Sequence, residues 1–280
     1  MKKGPLMKRR TKKRFPLFYY FYIPLILLFF YAPIIIIIIF SFNEETSLTR
    51  WTNFSLVWYK ELFQNRMIMD AVQTTLTVAI LATVISTIIG TLGAIGIANF
   101  KKKRTINTIL SINNLPLVTP DIVTAISLSV LFSGIQLPLG YGTMLLAHIA
   151  FCTPYVIISV YPRFIHMDKN TIEAAMDLGA THWTALTKVI IPELLPSILS
   201  GAIMAFTMSF DDFIISYFVG GNTLNISTYI YAAFRKPNPM VNALMTIIFL
   251  VLAVLVFISV TLRFKSEKHN DKKITKKATI

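Results

Sequence analysis

Long stretches without any charged residue dominate the hydrophobic pattern of this chain. Residues 15–43, 71–100 and 237–262 contain no Asp, Glu, Lys or Arg, and residues 194–234 are interrupted only by two adjacent aspartates. A bilayer-spanning helix needs about 20 apolar residues, and residues 105–162 hold enough for two. The pattern therefore predicts an all-α polytopic membrane protein. Its six predicted transmembrane helices are roughly 18–42, 70–99, 106–133, 141–162, 196–220 and 241–263.

The same pattern divides the chain into five parts. A basic tail covers residues 1–17, and the first span is followed by an extracytoplasmic loop at 43–69. A core of five spans covers 70–263 and includes a polar loop at 163–195, and a second basic tail covers 264–280. The apolar run of the first span is longer than the roughly 7–15 residues of a signal peptide, so we expect it to remain as a membrane helix.

Basic residues are distributed unequally between the two sides of the predicted membrane. The amino-terminal tail carries eight Lys and Arg, the link after the second span four, the loop 163–195 three and residues 263–280 seven, so 22 of 27 share one side. Because cytoplasmic loops carry the excess of Lys and Arg, both termini and that loop are predicted to be cytoplasmic, in a multi-pass protein of the cell membrane. We attribute the basic tails to topology and to anionic lipid, and we expect no nucleic-acid partner.

The overall composition excludes several classes of protein. Apolar residues make up 55% and charged residues 14%, whereas a soluble domain has about 25% charged residues. A single cysteine, Cys152, allows no intrachain disulfide and no cysteine-rich metal site. The sequence also lacks a GxxxxGK[ST] phosphate-binding loop and the HExxH and GxSxG motifs. We therefore expect no catalytic residues, metal or directly bound cofactor in this chain.

Three acids, Asp121, Asp211 and Asp212, lie inside the predicted spans. Each costs about 2.5–3.5 kcal/mol at a helix centre, so intramembrane acids usually face a cavity or a partner. Asp121 lies 17 residues past Arg104 and Asp211 lies 18 residues past Glu193, which places both about 25 Å along their helices at 1.5 Å per residue. The predicted spans contain no Lys or Arg apart from Arg263, which is the last residue of the sixth span. The partner of these acids is therefore a cationic cargo, a helix N-terminus, a second subunit or a proton.

Asp211 and Asp212 are about 100° apart around a helix, so we expect one to face a substrate path and the other a helix interface. The alternative is a break in the fifth span with Asp as a local cap, and the proline before Asp121 would likewise make Asp121 an N-cap. Ser209, beside the pair, and Trp51, in the outer loop, complete the candidate substrate-path residues. Anchoring at the membrane interface is the alternative for Trp51.

Two further features of the spans have structural interpretations. His148 lies in the fourth span, where a packed, hydrogen-bonded core histidine is favoured over a proton relay. Gly90, Gly93 and Gly96 form a stripe in the second span. Small residues at helical spacing let membrane helices approach closely, so close packing is favoured over a ligand site.

The polar loop carries strong local signals for two short helices. Asn170 followed by Glu173 predicts a capping box that starts the first helix, and Gly179 stands where a left-handed C-cap belongs. Thr181 is placed to cap a second helix, which we expect to run to about Ile191, before two prolines mark the return to the membrane. The loop is either an interfacial connector or a docking surface for a cytoplasmic partner.

The spacing within this loop resembles the signature of permease subunits of ABC importers, which is Glu-Ala-Ala, three residues, Gly, nine residues and then Ile-x-Leu-Pro. Valine and isoleucine replace the isoleucine and leucine of that signature, and the spacing of every element matches. The matching residues are Glu173, Ala174, Ala175, Gly179, Val189, Ile191 and Pro192. The resemblance implies that the loop is a coupling helix pair that inserts into a groove of a separate ATPase.

Segments 54–59, 116–128, 173–180, 206–213 and 237–244 look like the permeases of spermidine/putrescine importers. The resemblance implies a transport subunit, not an enzyme. Its implied partners are two ATP-binding subunits, which use the ATP, a second related permease and an extracytoplasmic binding protein. A permease for another cargo is one alternative. An ion-coupled carrier or channel is another, although it would more naturally show two matching broken-helix repeats, which the sequence lacks.

The charge asymmetry makes a direct prediction about topology. A reporter fused after Ile280 should be active in the cytoplasm, because residues 263–280 carry seven of the basic residues. Reporter activity on the extracytoplasmic side would contradict the orientation and the depths calculated for the acids.

Overall fold

The computed structural model describes residues 17–47, 50–233, 239–254, 257–258 and 261, with side chains from residue 21 onward except that of Lys169. The chain divides into two compact units. The first comprises residues 1–62 with 237–280, and the second comprises residues 63–236. The named elements of the described residues are all helical, as expected for an all-α protein. The predicted basic tails lie outside the described residues, apart from Leu17.

The first unit contains α1 (Leu17–Phe40), most of α2 (Val57–Gln64) and α12 (Pro239–Val254). The segment between α1 and α2 folds around the buried side chain of Asn43. Its amide donates to the carbonyl of Arg50 at 2.9 Å and accepts from the N–H of Thr52 at 2.8 Å, while Trp58 Nε1 donates to the Asn43 carbonyl at 2.6 Å. The predicted sixth span, 241–263, is described only in part.

The second unit is a bundle in which α3, α6 and α9 pack against one another. Its helices are α3 (Arg66–Ala98), α4 (Lys103–Val118), α5 (Asp121–Gly134), α6 (Tyr141–Ile165), α7 (Lys169–Asp177), α8 (His182–Ala185), α9 (Ile191–Phe210), α10 (Ile214–Val219) and α11 (Ile226–Ala233). Within the described residues, four helices are long and apolar enough to cross a membrane, or five if the bent pair α4–α5 is one span. The count of six spans therefore stays a prediction.

The third predicted span is not one straight helix. The chain bends by 106° between α4 and α5, at the break formed by Thr119 and Pro120. Thr119 is extended, with ψ 144°, because the ring of the following proline disfavours the helical conformation at the residue before it. Asp121 is the first residue of α5 and Pro120 occupies the N-cap position, so the interpretation of Asp121 as an N-cap is wrong.

The fifth predicted span, 196–220, has different limits at both ends. A continuous helix runs from His182 to Phe210, so the second loop helix does not end at Ile191 as predicted. A π-helical turn at Leu186–Ile190 precedes Pro192, and within it the N–H of Ile191 donates to the carbonyl of Leu186. Since proline has no N–H and its ring crowds the preceding turn, this wider turn lets the helix continue. The helix then breaks after Phe210, and α10 is separate.

The polar loop forms two helices, as predicted, with one different cap. Asp168, not Asn170, is the N-cap of α7 and accepts from the N–H of Asn170 at 3.0 Å, so the predicted Asn170–Glu173 capping box is wrong. Gly179 has φ +88°, as predicted for a left-handed cap. The N–H groups of Gly179 and Ala180 donate to the carbonyls of Met176 at 2.9 Å and Ala175 at 3.0 Å, which is a Schellman motif.

Close contact between α3 and α6 depends on Gly90. A Cβ atom added there would lie 2.6 Å from the Cβ of Val156, whereas one added at Gly96 would have no neighbour within 4 Å. The predicted glycine stripe therefore serves close packing at Gly90 and not at Gly96. Val156 belongs to an apolar cluster that joins α3, α6 and α9.

Gly90→Ala should destabilise the bundle while Gly96→Ala should not. Forcing extra atoms into a packed core costs about 1–3 kcal/mol, whereas alanine is favoured over glycine in an open helical position by about 1 kcal/mol. The apparent melting temperature of each purified variant in detergent measures the difference. Equal melting temperatures would contradict the close approach of α3 and α6.

Candidate functional site

A cavity of about 440 Å³ opens in the second unit where the broken helices meet. This volume is within the range of roughly 300–1,000 Å³ that is typical of small-molecule sites. Eleven of the described residues line it, and the charged ones among these are the three predicted acids. The lining residues are Pro116, Asp121, Thr124, Phe151, Tyr155, Met208, Asp211, Asp212, Phe213, Ile214 and Ile215.

Two helix breaks bring the acids to this cavity. Asp121 begins α5 directly after the bend from α4, and Asp211 is the C-cap residue of α9. Among the described residues, no other side chain forms a hydrogen bond or ion pair with the carboxylate of Asp121 or Asp211. Both carboxylates are therefore available to a ligand.

Asp212 is held differently, by hydrogen bonds from the start of α10. Its Oδ1 accepts from the N–H of Ile215 at 3.2 Å, and its Oδ2 accepts from the N–H and the hydroxyl of Ser216 at 2.8 and 2.7 Å. These bonds satisfy two of the backbone donors that a helix start leaves unpaired. Asp212 therefore acts as the local cap that the alternative interpretation of the acid pair described.

His148 on α6 connects both sides of this break. Its Nδ1 lies 2.6 Å from Ser209 Oγ, near the end of α9, and its Nε2 lies 2.9 Å from Ser216 Oγ on α10. Nε2 is also 3.4 Å from Asp212 Oδ2. The imidazole is 1% exposed, so it is the packed, hydrogen-bonded core histidine that the sequence favoured.

Asn225 supports the break from the other direction. Its amide nitrogen donates to the carbonyl of Asp212 at 2.9 Å and to Ser216 Oγ at 2.8 Å. Its Oδ1 accepts from the N–H of Thr228 at 2.8 Å, which fixes the orientation of the amide. The next residue, Ile226, donates its N–H to Thr75 Oγ1 on α3 at 2.8 Å. Together these bonds join the broken segment to the start of α11 and to α3.

Aromatic rings complete the wall of the cavity. Phe151, Tyr155 and Phe213 line it, and Phe213 is packed against Tyr231 with ring centroids 4.8 Å apart. The faces of such rings attract cations by roughly 0.5–2 kcal/mol, depending on solvation. The cavity thus combines carboxylates with aromatic faces, and none of its eleven described lining residues is basic.

The remaining predicted substrate-path residues lie elsewhere. Ser209 is buried, and its hydroxyl contacts His148 instead of lining the cavity. Trp51 belongs to the first unit, is 45% exposed and packs edge-on against Phe40 at 6.3 Å. A direct contact of either residue with substrate stays a prediction.

The loop between α6 and α9 presents apolar side chains to solvent. Leu178 is 90% exposed and Trp183 is 72% exposed, next to the Schellman turn at Gly179. Glu173 and Ala174 are also exposed, whereas Ala175 is half-buried. Pro192 lies beyond this surface, in the first turn of α9.

Sequence reasoning missed several residues of these two regions. Ser216, Asn225 and Thr228 are ordinary polar residues in the sequence, and their roles follow only from the position of the helix break. Leu178 and Trp183 had a signal, since a leucine and a tryptophan stand out in a loop that is otherwise polar. No group of three or more His, Cys, Asp or Glu that could hold a metal ion occurs within the described residues.

Comparison with known proteins gives consistent relatives for this chain. The family described as binding-protein-dependent transport system inner membrane component matches residues 86–269. The spermidine/putrescine transport system permease protein PotC of Haemophilus influenzae is 38% identical over 78% of this chain and 86% of its own length. The putrescine transport system permease protein PotI of Escherichia coli K12 is 35% identical over 84% of this chain and 87% of its own length.

A solved structure shares the fold at lower identity. A chain of a bacterial alginate ABC transporter, crystallised with a periplasmic protein that carries an alginate pentasaccharide, has a TM-score of 0.63 and 20% identity over 86% of this chain and 90% of that chain. The bundle of bent and broken helices is therefore an ABC-importer permease fold. The chain belongs to the family of binding-protein-dependent transport system inner membrane components, as an ABC-importer permease subunit and not an enzyme.

Proposed function

We propose that this protein is a permease subunit of a polyamine importer and forms half of its translocation pathway. The observation that carries the proposal is the cavity, whose described lining includes three carboxylates and no basic side chain. A carboxylate and an ammonium group 4 Å apart attract each other by about 4 kcal/mol at an effective dielectric of 20, against about 1 kcal/mol in water. Part of that gain offsets desolvation, so spaced acids suit a cargo that must also leave.

The relatives support the same cargo class. PotC proteins are named for spermidine and putrescine and PotI for putrescine, and both molecules are flexible organic polycations. Cation-binding aromatic rings beside the acids fit such a cargo better than a small metal ion, which would need a compact set of oxygen ligands.

The membership of this family supports a proposal for the remaining subunits. Two ATP-binding subunits hydrolyse ATP, a second related permease completes the pathway and an extracytoplasmic binding protein delivers the cargo. Both termini and the loop 163–195 are cytoplasmic in this arrangement, and this chain binds no cofactor itself. We place the ATPase contact on the surface formed by Glu173, Ala174, Ala175, Leu178 and Trp183, because its apolar side chains are exposed.

Neutralising the free acids should weaken uptake. Asp121→Asn and Asp211→Asn keep size and hydrogen bonding but remove a charge. Each should raise the apparent KM for spermidine by about tenfold, because desolvation offsets most of the pair energy of about 4 kcal/mol. The increase in apparent KM should be smaller for putrescine, because putrescine carries fewer charges. Uptake into proteoliposomes that contain the complete transporter measures both.

Asp70→Asn removes an exposed acid of α3 that does not line the cavity, and it should leave uptake unchanged. Normal spermidine uptake in both cavity variants would contradict the proposed cargo.

Gly179 tests the docking surface. Only glycine, and next to it asparagine, adopts the left-handed conformation easily, so Gly179→Arg should abolish ATP-driven uptake while Gly179→Asn keeps most of it. ATP hydrolysis by the complex and co-purification of the ATPase separate lost docking from lost transport. A Gly179→Arg transporter that couples hydrolysis to uptake at the normal rate would show that this loop is not the contact.

A further inference from the structure

The hydroxyl of Ser216 determines the directions of the hydrogen bonds in the buried network around the helix break. Asn225 Nδ2 donates to Ser216 Oγ at 2.8 Å, because the Asn225 Oδ1 atom is already occupied by the N–H of Thr228. Ser216 Oγ lies 2.7 Å from Asp212 Oδ2, and a carboxylate oxygen can only accept. The single hydroxyl hydrogen of Ser216 must therefore point to Asp212.

This assignment fixes the tautomer of His148. Since the hydrogen of Ser216 is committed to Asp212, the 2.9 Å contact between His148 Nε2 and Ser216 Oγ requires a hydrogen on Nε2. The same N–H faces Asp212 Oδ2 at 3.4 Å. In the neutral imidazole Nδ1 is then an acceptor, and it receives the hydroxyl hydrogen of Ser209 at 2.6 Å.

Asp212 consequently differs from the other two acids of the cavity. Donors from Ile215, Ser216 and His148 surround its carboxylate, and its side chain is only 9% exposed. These hydrogen bonds compensate the Asp212 carboxylate for its lost contact with water. Among the described residues, the carboxylates of Asp121 and Asp211 have no such side-chain donors. The imidazole touches α9 through Ser209 and α10 through Ser216, so it bridges the break that also carries Asp211.

We propose that His148 is a positioning residue that clamps the break between α9 and α10 and reserves Asp212 for that clamp. Asp121 and Asp211 are then the carboxylates of this chain that meet cationic cargo. The assignment of the two free acids rests on the proposed function, but the clamp itself does not. The Nε2 side of the imidazole is the essential one, because it faces Ser216 and Asp212.

A matched pair of variants separates the two sides of the ring. In His148→Gln the amide nitrogen can take the place of Nε2, whereas in His148→Asn the shorter amide can replace only Nδ1. Cys152→Ala is the control, since Cys152 lies one turn further along α6 and contacts the carbonyl of Ala205 on α9 but not the break. Each variant is purified in the complete transporter, and subunit co-purification is measured first.

The first readout needs no cargo. Dicyclohexylcarbodiimide reacts with accessible carboxylic acids in apolar surroundings, and mass spectrometry gives the labelling of Asp212 relative to Asp211 in the same peptide. We expect low relative labelling of Asp212 in the unmodified chain, in Cys152→Ala and in His148→Gln. His148→Asn should raise it about tenfold, the effect of losing a hydrogen bond to a charged group. Equal labelling of the two acids in the unmodified chain, or equal increases in both His148 variants, would overturn the clamp.

The second readout is the dependence of uptake on spermidine concentration. His148→Asn should change the apparent KM by about tenfold, and His148→Gln by less than about threefold, if the displaced carboxylate alters the cargo site. An unchanged KM in His148→Asn, with Asp212 labelled, would show that the clamp does not support the cargo site, and unchanged KM values in both Asp121→Asn and Asp211→Asn would overturn their assignment as the cargo acids. A transporter that takes up no spermidine even before substitution would count against the proposed cargo and would leave the labelling result standing.

Discussion

A helix that breaks within a membrane protein leaves backbone groups that water cannot satisfy, and the protein must supply partners for them. The break after Phe210 meets this requirement with side chains. Asp212 accepts from two N–H groups of α10, and Asn225 donates to the carbonyl of Asp212. The break at Thr119 and Pro120 has a smaller requirement because proline lacks an N–H. The acids of the cavity lie at these two breaks, so the residues that stabilise the breaks also determine the positions of the acids.

The two adjacent aspartates illustrate how one local structure gives two identical side chains different environments. Asp212 turns inward and is surrounded by donors, while Asp211 ends α9 and lines the cavity without a side-chain partner among the described residues. If both were clamped, the cavity would keep one free acid from this chain. If both were free, the start of α10 would lose its cap and the desolvated carboxylates would repel each other.

The sequence predicted the parts of this fold that depend on local patterns. Charge-free runs located α1, α3 and α6, and Gly179 was predicted as a left-handed cap from its position alone. Prolines were less informative. Pro154 lies within the continuous α6, whereas Pro120 accompanies a bend of 106°. Neighbouring helices decide between these outcomes, since they can replace the hydrogen bonds that a proline removes.

The polar network could not be predicted, because it depends on contacts between residues far apart in the chain. His148 meets Ser209 and Ser216 across 61 and 68 residues. A lone histidine in an apolar helix indicates only that some partner exists. The three acids could be identified because each is costly in an apolar span, but their division into free and clamped groups required the geometry of the break.

The continuous helix from His182 to Phe210 gives this arrangement a mechanical consequence. It begins beside Gly179 in the loop that we propose docks the ATPase, and it ends at Asp211 in the cavity. Its 29 residues extend about 43 Å at 1.5 Å per residue. Pro192 and Pro196 remove two N–H donors from this helix, but the helix is continuous over its whole length. We therefore expect a displacement of the loop to move Asp211 with it. In the proposed clamp, the hydrogen bonds of His148 to Ser209 and Ser216 connect α10 and Asp212 to the end of this helix.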